Sequence, residues 1–432
     1  MSRAVVLRRR CVQAFSVPAA AVLCLLAAGN GSAGAEPGSS GLLGRAVVLY
    51  GNGHTRDFVV LREMRNIPSG IPPESWLKKM ADHLERIGPF RTAVVVTVQD
   101  SAGTEPRLAV LLGEKGRWTL DPAFSYDGLF GWTAGLHVVR SNLFGRNQRI
   151  GAGFRTGGLD KAGLRWTDPW FGGPLRLFAE AEALHVSYPY RYPDFRPVFR
   201  VVSDAASVGL GRSFAGDIRT GFRRTWEIAA AGDPAALLSG GKRDRYVTDE
   251  WFYGWDCRDR PEYPLSGWYA EAGRQWTRES GSGRRFGRSY FDCRFYAPAA
   301  AGSRIAVQAT GQLMDGRVPV VKRLHWGGSS TLRGYDSGIL SGNRLLAFGT
   351  ELRFPVLLEP DVLGARRAGV FGVLFADCAS IRFSETSRSL APNAAAAGAG
   401  FHFIWDTIVL RAEWGMRADG GVFATSSSGV KF

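Results

Sequence analysis

One arginine lies in a stretch whose residue types favour a buried ion pair. Arg333 belongs to the glycine-rich run from Trp326 to Asp336, which lies between two strand-like segments. Glycines let a backbone pass close to a wall, and a guanidinium presents a planar fork that fits a carboxylate. We therefore predict a loop that folds back into the protein and is pinned there. Its pinning residues are predicted to be Gly327, Gly328, Leu332, Arg333, Gly334 and Tyr335.

The remaining candidate residues lack the spacing that catalysis or metal binding requires. None of the six histidines has the i, i+4 spacing of a helical zinc site. The cysteines are too far apart for a zinc cage, and neither the G-x-S-x-G elbow nor the phosphate-binding G-x-x-x-x-G-K-[ST] loop occurs. We therefore expect no enzyme activity, no cofactor and no metal.

The elements that must position the loop begin near Trp118, where the sequence changes to short alternating segments. We count roughly sixteen of them, within the size range of outer-membrane barrels. Along each segment every second residue is apolar or small and the residues between them are polar, as in Arg304–Thr310. This alternation suits a wall between lipid and a watery lumen. The segments start near residues 119, 132, 147, 160, 174, 198, 218, 246, 267, 288, 302, 343, 366, 394, 407 and 422.

A soluble array of β-sandwich repeats would also contain short strands. The chain ends on an aromatic residue, Phe432, and aromatic side chains cluster at segment ends, where a membrane belt lies. Those clusters comprise Trp170, Phe171, Tyr188, Tyr190, Trp251, Phe252 and Tyr253. We therefore predict a transmembrane antiparallel β-barrel over residues 118–432.

The first 35 residues have the composition of an export signal. An arginine-rich start is followed by an apolar run and by the small residues Ala33-Gly34-Ala35, which form a cleavage site. Residues 36–44 are rich in glycine and serine and are predicted to be a flexible lead-in. No later stretch has the roughly 18 apolar residues of a membrane helix.

Residues 45–117 have the pattern of a small α/β domain. A strand over Ala46–Tyr50 precedes a short helix that Thr55 is expected to cap. A stronger helix starts at Pro73, with Trp76, Met80, Leu84 and Ile87 on one face. Two further strands are predicted over 92–98 and 107–112.

The charge and the cysteines leave alternatives open. The formal net charge is +15, but its arginines are dispersed through strand-like segments. Dispersion favours a basic lumen, or rims that contact anionic lipid headgroups, over nucleic-acid binding. After the export signal three cysteines remain, Cys257, Cys293 and Cys378. A Cys257–Cys293 disulfide is possible in an oxidising compartment, although three separate thiols explain the odd number more simply.

The chain resembles the outer-membrane assembly-factor superfamily, also called bacterial surface antigens (BamA/TamA-like). Leu332-Arg333-Gly334-Tyr335 matches the signature of its sixth extracellular loop, and Asn142-Leu143-Phe144-Gly145 resembles an early barrel turn. Glu351–Pro355 and Phe375–Ala379 resemble the two strand motifs that follow the loop, with Ala379 in place of a glycine. The resemblance implies one periplasmic POTRA domain and a sixteen-stranded barrel in the outer membrane of a Gram-negative bacterium.

By this resemblance, the partners of Arg333 are the carboxylates of Asp377 and Glu351, because an unpaired charge in a narrow lumen is costly. Phe375, Phe354 and Phe432 are expected to support them. An Arg-Gly-Tyr run alone is more typical of a surface loop whose arginine contacts water. The double glycine and the two carboxylate motifs favour the inserted loop.

The resemblance implies that the protein inserts outer-membrane proteins or translocates polypeptide. A dedicated secretion pore for one passenger and a passive structural or pore barrel are the alternatives. Expected partners are outer-membrane lipid and lipopolysaccharide, unfolded client proteins and periplasmic accessory proteins, with no nucleic acid. The last strand, 422–432, holds three serines and a glycine, which predicts a weak closure seam.

Overall fold

The fold is taken from a computed structural model. It describes residues 47–64, 67–68, 71–99, 106–171, 175–192, 198–214, 217–259, 261, 263–359, 368–383, 393–405, 408–429 and 431. The predicted export signal, the lead-in and Phe432 lie outside these residues. Among the described helices, none has the length and apolar composition needed to cross a membrane.

An N-terminal unit contains a three-stranded sheet and two helices in the predicted order. Its elements are β1 (Val47–Tyr50), α1 (Asp57–Leu61), α2 (Glu74–Arg86), β2 (Phe90–Gln99) and β3 (Pro106–Glu114). The sheet order is β1-β3-β2, with β1 parallel to β3. Leu84 of α2 is fully buried against the apolar inner face of the sheet, while Trp76 and Met80 pack at its margin.

The predicted cap of the first helix was wrong. Arg56, not Thr55, precedes α1, and the helix has no side-chain cap. The Thr55 hydroxyl instead accepts a hydrogen bond of 2.8 Å from the side chain of Asn142, near the end of β5. Thr55 therefore makes a tertiary contact, which the rules for local helix capping do not include.

The rest of the described chain forms a closed antiparallel barrel of sixteen strands, which confirms the predicted number. Two short strands, β15 (Leu324–Trp326) and β16 (Leu340–Gly342), pair separately. The barrel strands are β4 (Trp118–Asp127), β5 (Gly131–Leu143), β6 (Gln148–Gly157), β7 (Asp160–Phe171), β8 (Leu177–Tyr190), β9 (Phe199–Phe214), β10 (Ile218–Ala231), β11 (Arg243–Asp256), β12 (Gly267–Glu279), β13 (Arg285–Pro298), β14 (Arg304–Gly316), β17 (Arg344–Glu359), β18 (Ala368–Arg382), β19 (Ala394–Trp405), β20 (Ile408–Arg417) and β21 (Val422–Ser428).

Side chains alternate between the two faces of the wall. On β11, Trp251 and Tyr253 are exposed on the outside, whereas Phe252 is buried inside. Tyr190 is also buried, so these two aromatics do not belong to an outer belt, contrary to the sequence prediction. The strand period of two explains the correction, because neighbours along a strand face opposite sides.

The barrel closes between its last and first strands at a short seam. β21 and β4 pair at one position, Ser427 with Ser125, and the Ser428 hydroxyl lies 3.1 Å from the amide nitrogen of Phe124, which donates to it. By contrast, β11 and β12 pair continuously from Tyr246 to Asp256. The seam therefore has far fewer interstrand hydrogen bonds than the wall opposite it.

The N-terminal unit docks on the turn between β5 and β6. The amide of Arg56 donates to the carbonyl of Gly145 at 2.9 Å, and the Asn147 side chain donates to the carbonyl of Ile87 at 2.9 Å. Asn142 and Asn147 have φ values of 54° and 63°, a left-handed conformation that asparagine tolerates better than most residues. The turn that resembles a family motif thus holds the N-terminal unit.

Candidate functional site

The segment between β14 and β17 enters the lumen and turns back on itself. β15 and β16 form its stem. At the tip, the amide of Gly328 donates to the carbonyl of Tyr335 at 2.6 Å. Gly327 has a φ of 132°, and a Cβ there would lie 2.0 Å from the carbonyl oxygen of Asp336, so this turn requires glycine.

Arg333 is fully buried at the tip, where two carboxylates surround it as predicted and a third was missed. Its Nε and Nη2 donate to the two oxygens of Asp377 at 2.7 and 2.8 Å. Its Nη1 donates to Glu351 at 2.8 Å and to Glu413 at 2.7 Å. The guanidinium carbon lies 3.7 Å from the ring centre of Phe375, a cation–π contact on the fourth side.

Further cations complete the network. Arg353 donates to Glu351 at 2.8 Å and Arg411 to Glu413 at 3.4 Å, while Lys431 forms an ion pair with Asp377. Every carboxylate that contacts Arg333 therefore has a second cationic partner. In such a buried network, removing one member leaves the others unpaired, which typically costs about 3–5 kcal/mol.

Three buried residues of this network are close enough together to bind a metal ion in principle. They are Glu351, His402 and Glu413. Both carboxylates already accept hydrogen bonds from arginines, and a divalent cation beside Arg333 would meet strong like-charge repulsion. The donor set therefore suits ion pairing and does not fit a metal centre.

The residues on either side of Arg333 anchor the tip to the last strands. Gly334 has a φ of 86°, and a Cβ there would lie 2.5 Å from the ring of Phe423 on β21. The Tyr335 hydroxyl donates to the carbonyl of Ala395 on β19 at 3.1 Å. Leu332 is buried in an apolar cluster with residues of the loop stem and the wall.

The same loop also contacts the first strands. The amide of Ser337 donates to the Asp127 carboxylate, at the end of β4, at 2.8 Å. A Cβ on Gly128 would lie 2.1 Å from the carboxylate of Asp336, so the chain is tightly packed there. The loop therefore bridges both sides of the seam.

Phe375, Phe354 and Phe432 were predicted to support the ion pairs of Arg333, and only Phe375 is seen to contact it. Phe354 lies on the outer face of β17 and is partly exposed, so it does not support Arg333. Phe432 is outside the described residues. Glu413 could have been found from the alternation along β20, which gives it the same polar parity as Arg411. Lys431 lies beyond the last strand, so strand parity did not indicate its burial.

A cavity of about 250 Å³ remains between the loop and the wall formed by β12 to β14. Its lining combines Tyr269 and Tyr290 with charged side chains such as Arg288 and Asp292.

Comparisons with known proteins agree with this architecture. Residues 142–414 match the model of the Omp85 superfamily domain. A comparison with curated proteins gave no match. Among solved structures, BamA from Haemophilus ducreyi lacking POTRA domains 1–3 is 15% identical with a TM-score of 0.58, covering 88% of this chain and 83% of that one.

Two CdiB structures are similar as well. CdiB from Escherichia coli is 13% identical with a TM-score of 0.61, covering 89% of this chain and 76% of that one. CdiB from Acinetobacter baumannii is 12% identical with a TM-score of 0.56, covering 89% and 72%. Identities this low establish the fold alone, whereas the superfamily model covers more than half of the chain. The chain therefore belongs to the Omp85 superfamily, as its resemblance to BamA/TamA-like proteins predicted.

Proposed function

We propose that the protein is an outer-membrane barrel that inserts other barrel proteins, or translocates polypeptide, by opening between β21 and β4. The observation that carries the proposal is the seam, where the two strands pair at one position. Unpaired backbone groups along an edge are a template for another strand. A client strand could therefore pair there without any particular sequence.

The outer face of the barrel supports membrane placement. Large apolar side chains point outward around the wall, including Leu120, Phe154, Leu210, Phe348 and Phe403. A closed barrel satisfies its backbone hydrogen bonds internally, which the hydrocarbon region requires. The membrane-spanning role is therefore part of the proposal.

We also propose that residues 45–117 are a POTRA domain in the periplasm. The order of elements and the sheet order β1-β3-β2 support this assignment. Within the described residues, β2 pairs with β3 alone. Its other edge therefore offers backbone groups to an extended client segment.

Depletion of the protein, followed by a quantitative inventory of outer-membrane and secreted proteins, tests the proposal. We expect many barrel proteins to decrease together. Unchanged levels of both groups would contradict insertion and translocation alike and would favour a passive structural barrel.

A dedicated secretion pore is the second candidate, and the lumen bears on it. Arg333 holds the loop tip inside the barrel through three carboxylates, so a passenger that displaces the loop has to break this network. Loss of a single secreted protein on depletion would identify this role. Neither candidate requires catalysis or a cofactor.

A further inference from the structure

The outer wall opposite the seam carries arginines at one rim. Counted around the barrel, β11 and β12 are the eighth and ninth strands from the seam. Arg245 on β11, Arg278 on β12 and Arg285 on β13 all occupy outward positions and are exposed. The outward positions on β20 and β21 hold Leu410, Ala412, Trp414 and Met416, and Val422, Ala424, Ser426 and Ser428, with no arginine.

The pairing of the strands brings the three arginines together. Arg278 lies directly opposite Arg285 across β12 and β13. Arg278 also pairs with Val247, so Arg245 is its diagonal neighbour on β11. Directly opposite residues have Cβ atoms about 5 Å apart and diagonal neighbours about 7–8 Å. Like charges in these positions destabilise a sheet unless an anion neutralises them.

The protein itself supplies little neutralisation there. In the described part of the chain, no side-chain hydrogen bond or ion pair is found for Arg245, Arg278 or Arg285. Asp249 lies on the same face and attracts Arg278, but Arg224 donates to both of its oxygens at 2.6 and 2.8 Å. Asp315 is similarly held by an ion pair with Arg274 at 2.6 Å.

The height of the cluster matches a lipid headgroup. Trp255 marks the opposite rim of β11, ten residues from Arg245. Ten residues rise about 33 Å along a strand, and the roughly 40° tilt usual in such barrels makes this about 25 Å of height, equal to the apolar band. Trp276, two residues before Arg278, lies on the membrane side of the arginines, where an interfacial aromatic is expected.

The topology decides which leaflet this rim faces. The N-terminal unit leads into β4 at the opposite rim, the one that also holds Trp255. We propose that Arg245, Arg278 and Arg285 form a site for the phosphate groups of an anionic lipid in the outer leaflet. Guanidinium groups suit phosphate because they donate in bidentate geometry. The site would hold the wall opposite the seam against the membrane while the seam opens.

This inference rests on the proposed membrane placement, and diphosphoryl lipid A is the probe for its test. The full-length protein is folded in a zwitterionic detergent, and lipid A binding is measured by native mass spectrometry. Each Arg→Gln substitution is expected to weaken binding about fivefold, and the triple variant about a hundredfold. Arg212→Gln is the matched control, because Arg212 is exposed on the outer face near the end of β9, at the other rim.

Three results would overturn the proposal. They are unchanged lipid A binding by the triple variant, an equal loss in Arg212→Gln, and displacement of lipid A by inorganic phosphate at equal concentration, which would indicate a free-anion site. Gel migration with and without heating reports whether each variant is a folded barrel. Unchanged lipid A binding by a folded triple variant with normal client assembly would refute the headgroup site while leaving the proposed function intact.

Discussion

The two sides of the barrel are stabilised in different ways. Opposite the seam, β11 and β12 pair along their length, and backbone hydrogen bonds hold the wall. At the seam, one pair of residues joins β21 to β4, and the inserted loop contacts both sides through Arg333 and Ser337. The comparison indicates that a buried polar network takes the place of strand pairing at the seam.

Of the substitutions that test this comparison, Arg333→Ala should have the largest effect on the stability of the seam side. It leaves three buried carboxylates short of a cation, for which we expect a loss of about 3–5 kcal/mol. Urea unfolding of the folded barrel and protease digestion of the loop measure it, with Arg224→Ala on the outer wall as the control. Wild-type activity together with wild-type protection of the loop would show that the network does not pin it.

Disulfide bonds introduced on the two sides should have opposite consequences for function. Ser125→Cys with Ser427→Cys closes the seam, whereas Thr248→Cys with Thr277→Cys links β11 to β12, which already pair there. We expect client assembly to stop under oxidation with the first pair and to continue with the second. The native Cys257, Cys293 and Cys378 are free thiols and are first replaced by serine. Assembly through an oxidised seam would rule out lateral opening.

Asp127→Asn should weaken the contact between the inserted loop and β4 and leave the contacts of the loop with the last strands unchanged. The substitution weakens the acceptor for the Ser337 amide and for the amide of Leu129, which we expect to cost about 1–3 kcal/mol. Faster oxidation of the Ser125→Cys/Ser427→Cys pair would report a looser seam. Asp249→Asn, on the opposite wall, should leave that rate unchanged.

The smallest expected effect concerns the N-terminal unit, which docks beside the seam. Burial raises the pKa of Glu114, but hydrogen bonds from the side chain and amide of Thr55 and from the amide of His54 outweigh it and place its pKa below the usual value. A lowered pKa stabilises the folded state above the unfolded-state pKa, and this contribution is lost as the pH falls through the folded-state pKa. The protection factor of the Thr55 amide, its intrinsic exchange rate divided by the observed one, should therefore fall at acidic pH.

Glu114→Gln should remove this acid dependence while leaving barrel unfolding unchanged. The carboxylate is only partly buried, so we expect an effect of at most about 1 kcal/mol. A protection factor of Thr55 that still falls at acidic pH in the variant would assign the dependence to another group.

The sequence alone predicted the local features of this protein. Alternation along the chain determined which segments are strands and located their starts, as at Asp160 and Gly267. The residue types around Arg333 indicated a pinned loop, and the motifs after it indicated Asp377 and Glu351. Strand period and glycine tolerance are local chemical properties, which is why the sequence could indicate the strands and the turn, whereas the carboxylate partners came from the family resemblance.

Tertiary structure decided what those local properties cannot specify. Glu413 on β20, two strands from β18, and Lys431 beyond β21 reach the network because the curved wall directs their side chains at the same loop inside the barrel. Phe354 faces outward because its register in β17 fixes its side of the wall, and Thr55 binds Asn142 because the N-terminal unit docks there. The number of strands and the closure of the barrel likewise place the arginine cluster on the wall opposite the seam. Residues far apart in sequence come to lie side by side, or on opposite sides of the barrel, only when the sheet closes.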